Sequence, residues 1–169
     1  PIIMYHSILP DLDFAGKYVL PPSVLEEDMQ YLNDHGYETV TIADLLAYVD
    51  YGMPLPEKPV MLTFDDGYLN NCVYLPPLME KYWMRAVVSP VGKFSDDYTA
   101  NGERSVYYAM ATWDDLRALA ESDYFELQNH SYNLHAQSPR HGAQRCSGES
   151  DEAYQAMLSS DLAAMQEAM

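Results

Sequence analysis

An alternation limits most what this chain can fold into: short apolar or β-branched runs, each followed by a segment with helical spacing. Strands are expected at 2–5, 39–42, 60–64, 85–90 and 125–129. Helices are expected at 24–34, where Val24, Leu25, Met29 and Leu32 recur at helical intervals before Gly36, and at 43–51, closed by Gly52. Further helices are expected at 70–82, interrupted early by Pro76 and Pro77, at 113–121 behind a Thr112 cap, and at 151–169. The last carries Tyr154, Met157, Leu158, Leu162 and Met165 on one side. Residues 92–108 read as a long polar loop facing substrate, and 138–150 as a second polar loop.

Strand–helix repetition points to an α/β fold with parallel strands. The continuous apolar run 60–64 suits a strand covered on both faces. About five such strands fit an open doubly wound sheet or part of a (β/α) barrel, and in both the chemistry sits at the carboxyl ends of the strands. The polar clusters fall at such ends: His6-Ser7, Asp65-Asp66 and His130-Ser131.

A chain of 169 residues, 48% of them hydrophobic, is a one-domain length with ample material for a core. Its formal charge of −17 repels phosphate backbones and anionic membrane surfaces, so nucleic acid is excluded as a partner; a neutral or cationic substrate is compatible. The same charge is also what simple solubility requires. No apolar run approaches the ~20 residues of a membrane span. Pro1 is not a natural start, and the expectation is that any signal peptide or anchor has been removed. Cys72 and Cys146 lack metal-site spacing, and their pairing is open.

The chemistry-bearing residues form two groups. In Thr63-Phe64-Asp65-Asp66-Gly67-Tyr68 two carboxylates follow an apolar strand. Neighbours on a strand point to opposite faces, so both can serve one pocket only if the chain turns, which Gly67 permits. Adjacent like charges are costly unless a cation joins them; the alternative is a cap for the next helix. In His130-Ser131-Tyr132-Asn133-Leu134-His135 the histidines are five apart, about 140° on a helix, so a shared face needs a strand-to-loop turn. Each histidine alone reads equally as a surface or capping residue. Together, one carboxylate and two imidazoles at strand ends make a facial site with vacancies, suited to zinc or another divalent first-row ion. A second carboxylate beside it can act as a base. His6 is either pocket lining or a buried hydrogen-bonded histidine. Tyr68 and Tyr132, beside these residues, are candidate pocket lining and otherwise packing residues.

On these two motifs, and on Met4-Tyr5-His6-Ser7-Ile8, the chain resembles the polysaccharide deacetylase family of carbohydrate esterases. The resemblance implies a distorted (β/α) barrel with a divalent metal, usually zinc. It makes Asp65 the general base and Asp66, His130 and His135 the ligands. It further implies removal of N-acetyl groups from a glucosamine-containing polysaccharide, at the cell surface or outside the cell. The family's later motifs, a base-orienting arginine, a tryptophan wall and a Leu-x-His acid, have no counterpart before Met169; Arg140, Arg145 and His141 lack their contexts. The expectation is therefore a single catalytic domain over 1–169, truncated at its C-terminus with the barrel incomplete. Two other functions stay open: a catalytically impaired carbohydrate-binding module of the same fold, and an O-acetyl esterase acting on xylan.

Overall fold

The strand at the centre of the molecule is the apolar run that ends in the two aspartates. The computed structural model describes residues 1–11, 13 and 15–169. Its elements run β1 (Ile2–Tyr5), β2 (Ser7–Ile8), β3 (Val19–Leu20), α1 (Pro22–Asp34), β4 (Glu38–Thr39), α2 (Ile42–Tyr51) and β5 (Pro59–Asp66). They continue through α3 (Leu69–Tyr82), β6 (Ala86–Pro90), α4 (Gly92–Asn101), α5 (Trp113–Ala120), β7 (Phe125–Leu127) and α6 (Asp151–Ala168). Every pairing in the main sheet is parallel, in the order β1-β5-β6-β7, with β4 joined to the first two residues of β5. A separate parallel pair, β2 with β3, sits beyond the end of β1. Among the described residues β1 and β7 are the edges, so the sheet does not close into a barrel.

Period-two alternation sends β5 side chains into two layers. Val60, Leu62 and Phe64 join Leu25, Met29, Leu75, Met79, Ala86 and Val88 in the main core between the sheet and α1 and α3. Met61 packs oppositely, with Val40 and Val87 and the α2 residues Ile42 and Leu45. Burial on both faces is why this run shows no polar alternation. The second face is less covered at β1, where Ile2 and Met4 are 65% and 59% exposed.

Several expected boundaries shift, each for a local reason. The strand read at 39–42 keeps only Glu38–Thr39, because the N–H of Thr41 donates to the Asp44 carboxylate at 2.8 Å and the chain turns into α2. Pro76 and Pro77 do not interrupt α3, which runs unbroken through both. The fifth strand stops at Leu127 rather than at residue 129. The supposed loop 92–108 begins with helix α4, closed by Gly102 in the left-handed conformation. Its polar composition hid it, since it buries only Gly92 and Ser95 fully. The apolar side read on α6 is only half covered: Met165 is buried, but Leu162 is exposed. Cys72 is half-buried, Cys146 exposed, and both are free. No helix among the described residues is long and apolar enough to cross a membrane.

Phe64 has no exposed surface and stacks on Tyr5 with ring centroids 5.1 Å apart. Phe64→Ala should lower the unfolding free energy by about 3–5 kcal/mol. Urea denaturation read by circular dichroism checks this, with the midpoint falling at an unchanged slope.

Candidate metal centre

Asp66 ends β5 in register with Pro90 of β6, and there the backbone leaves the strand by two consecutive left-handed residues, Asp66 at φ 70° and Gly67 at φ 78°. Only glycine adopts that region freely. A side chain at Gly67 would also meet Pro90, whose Cβ lies 2.7 Å from where the new Cβ would stand. The turn is pinned from outside: Leu69 N–H donates to Ala109 O at 3.0 Å, and Ala111 N–H donates to Gly67 O at 2.8 Å.

The second segment follows β7. His130 N–H donates to Pro90 O, and the chain then bends at Ser131, φ 82°. Ser131 O accepts from Gly92 N–H at 3.1 Å, and Tyr132 O accepts from Lys93 N–H at 2.7 Å. The first turn of α4 thus holds the bend against the sheet.

These two turns bring three ligand-type atoms together. Asp66 Oδ1 lies 3.5 Å from His130 Nε2 and 3.0 Å from His135 Nε2, and all three groups offer atoms within 4.8 Å of one another. The ligands of a tetrahedral ion, at 2.0–2.1 Å, stand about 3.3 Å apart, so these spacings suit a single ion. The Asp66 carboxylate is only 8% exposed, and its Oδ1 accepts no hydrogen bond from the described residues. His135 is therefore close enough for such a bond but not aligned for one. A buried carboxylate oxygen with no donor, facing two imidazole nitrogens, is what a cation between them would satisfy.

Asp65, the other half of the pair, is half-buried beside this cluster. Burial pushes its carboxyl above the usual carboxylate range and the Asp66 charge adds to that, while His130 and His6 pull it back. Burial, and after it the Asp66 charge, also raises the Tyr68 phenol. Two depressions meet here. One, of about 330 Å³, is lined by His6, Tyr18, Asp66, Tyr68, His135 and Gln137. The other, of about 460 Å³, shares Asp66, Tyr68 and His135 and is walled by Tyr107, Tyr108, Phe94 and Met110.

His6 and Tyr68 line the first of these depressions, with the His6 ring 5.0 Å edge-on from Tyr18. Tyr132 does not: its hydroxyl donates to Asp96, its ring lies over Gly92, and it lines a separate depression with Met157 and Ala164. Two strand residues would alternate faces, but the bend at Ser131 redirects Tyr132 toward α4. Phe94, Tyr107 and Tyr108 fall in the segment 92–108 expected to face substrate, whereas Tyr18 and Gln137 carried no sequence signal for the pocket.

The family model described as polysaccharide deacetylase matches residues 52–169. The chain is 37% identical over 140 residues to the poly-beta-1,6-N-acetyl-D-glucosamine N-deacetylase of Escherichia coli strain K12, an alignment covering 79% of this chain and 20% of that protein. The chain therefore spans about a fifth of the length of that relative. Its fold matches a de-N-acetylase from Aggregatibacter actinomycetemcomitans with a TM-score of 0.81 at 24% identity, covering 99% of this chain and 72% of the other. IcaB from Ammonifex degensii aligns with a TM-score of 0.77 at 20% identity, over 99% and 66% of the two chains.

Gly67→Ala should destabilise the protein by more than the ~1–2 kcal/mol of a left-handed non-glycine residue, because the new methyl also meets Pro90. Gly36→Ala is the comparison, with φ 70° and open space around the added Cβ. Equal losses for the two variants in chemical denaturation would remove Pro90 as the constraint on this turn.

Proposed function

This chain belongs to the polysaccharide deacetylase family, and we propose that it carries the metal-binding centre of a hydrolase that removes N-acetyl groups from a glucosamine-containing polysaccharide. The observation that carries the reading is the convergence of Asp66 Oδ1 with His130 Nε2 and His135 Nε2 beside a second, half-buried carboxylate. Asp66, His130 and His135 would hold a divalent ion, and a carboxylate with two imidazoles suits zinc or another divalent first-row ion. Such an ion, when bound, acidifies water and polarises an amide carbonyl.

The chain's own groups account for the rest. Asp65 serves as the base: it is not one of the three converging ligands, and burial has made its carboxylate a better proton acceptor than an exposed one. It takes a proton from the attacking water as the water oxygen bonds to the acetamide carbon; the C–N bond then breaks, acetate leaves, and the amine nitrogen takes up the proton that Asp65 held. His6 lowers the cost of charge on Asp65. The two depressions meeting at Asp66 give a substrate room on both sides of the reacting amide, which fits a unit within a polymer. Tyrosines on both sides, Tyr18 and the Tyr107–Tyr108 pair, offer faces for sugar rings. A polymer of this kind lies outside the cytoplasm, and there we place the protein. The E. coli relative's name supports the N-acetylglucosamine polymer.

In the full-length protein, Asp65→Asn should cut acetate release by about 10²–10⁴-fold while bound metal stays stoichiometric. Asp66→Ala should lose both. Metal content by plasma emission and acetate release from poly-N-acetylglucosamine, chitin oligomers, peptidoglycan and acetylxylan read this out. Retained turnover in Asp65→Asn would remove that residue as base. Release from acetylxylan alone would make the protein an ester hydrolase, and release from none of the four, with metal bound, would leave a carbohydrate-binding protein.

A further inference from the structure

The two proposed histidine ligands stand at the ends of one short turn, so the turn's shape sets the distance between their nitrogens. From His130 to Leu134 its backbone N–H groups are satisfied one after another. His130 donates to Pro90 O, Ser131 to the Asn129 side chain at 2.7 Å, and Leu134 to Ser131 Oγ at 3.1 Å. The remaining two come from elsewhere. Tyr132 N–H donates to Asp161 Oδ1 at 2.8 Å, and Asn133 N–H donates to Asp161 Oδ2 at 2.7 Å. A single carboxylate, 28 residues further along the chain, therefore clasps two successive N–H groups at the middle of the turn. Successive N–H groups form a concavity suited to an anion, and charged acceptors make the stronger bonds.

The rest of α6 is anchored at the same place. Asn129 Nδ2 donates to Leu162 O at 3.0 Å. Met165, fully buried, lies with its sulfur against Gly92, at the start of the helix whose N–H groups hold Ser131 O and Tyr132 O. The turn is thus gripped from both sides, by α4 through its carbonyls and by α6 through its N–H groups. Most of α6 is otherwise exposed.

We infer that Asp161 is a positioning residue for the metal centre: its carboxylate fixes the turn between His130 and His135, and so the spacing and direction of their nitrogens toward Asp66. This rests on the reading of those three residues as ligands. An alanine here would free two N–H groups, that of exposed Asn133, which water can reach, and that of half-buried Tyr132. The protein would still fold, but with a turn free to open. Ligands held by outer contacts lose roughly 10- to 100-fold in metal affinity when those contacts go.

The experiment measures Zn²⁺ affinity by competition with a chromogenic chelator, in the full-length wild type, Asp161→Ala and Asp161→Asn. The melting temperature of each metal-free protein is read alongside, and the Co²⁺ absorption spectrum reports ligand geometry. Asp161→Ala should bind at least about tenfold more weakly, with an altered Co²⁺ spectrum and a metal-free melting temperature near that of the wild type. Asp161→Asn, with one carbonyl oxygen for two donors, should fall between. Equal Zn²⁺ affinity in the wild type and Asp161→Ala would overturn the positioning role alone. So would a lowered melting temperature with unchanged affinity and spectrum, which would make Asp161 a merely structural clasp. A wild type that takes up no Zn²⁺ would overturn the ligand reading and this inference with it.

Discussion

A buried carboxylate oxygen that accepts no hydrogen bond from the described residues is the constraint on which the rest of this structure turns. Asp66 Oδ1 is shut away from water with two imidazole nitrogens in front of it and no aligned donor. If both nitrogens present lone pairs, three electron-rich atoms face one another at 3.0–3.5 Å, which is repulsive. Neither imidazole aligns an N–H on Oδ1. Isolated burial of a carboxylate costs several kcal/mol. A cation at the common focus removes both problems at once, because it replaces water's stabilisation of the carboxylate and accepts both lone pairs.

The fold meets that constraint with Pro90. This residue pairs in register with Asp66, accepts the hydrogen bond of His130 N–H, and leaves no space for a side chain on Gly67. One strand, β6, therefore separates the two segments that must meet, a backbone distance of about 10 Å at normal strand spacing. The carboxylate and imidazole side chains close that gap above the end of β6. Left-handed conformations at Asp66 and Ser131 turn the two segments out of the strand geometry that would alternate their side chains between faces. Such conformations persist in non-glycine residues only where the surroundings hold them, and here hydrogen bonds from 91, 92, 93 and 111 do so.

Legibility in the sequence followed how local each cause is. The run 60–64 announced a doubly covered strand because burial on both faces leaves no polar positions. The Thr112 cap was readable from its residue type ahead of a helical pattern, and in the fold Asp115, three residues on, completes its hydrogen bonds. Helix α4 was not, because its residues carry no apolar period and its place is set by contacts with the 130–132 bend. The Asp and His motifs were visible as types, but their meeting depends on three left-handed residues, and only Gly67 advertised such a turn. Tyr132 looked like pocket lining by adjacency, and the bend at Ser131 carried it to Asp96 instead. Asp161 had no signal at all: in a helix it is one acidic residue among several, and its acceptors' role exists only once the 129–135 turn lies beside it.

The distribution of packing across the sheet explains why the centre sits where it does. β5 and β6 are buried on both faces, and the two converging segments lie on the β5–β6–β7 side of the sheet. The opposite edge, β1, leaves Ile2 and Met4 exposed and contributes His6 to the pocket from a position just past its end. Metal ligands need their donor atoms held to within tenths of an ångström, whereas a group that acts through charge across a pocket tolerates more movement. The doubly covered side of the sheet thus carries the three converging groups, and the less covered side carries a histidine whose charge acts on Asp65.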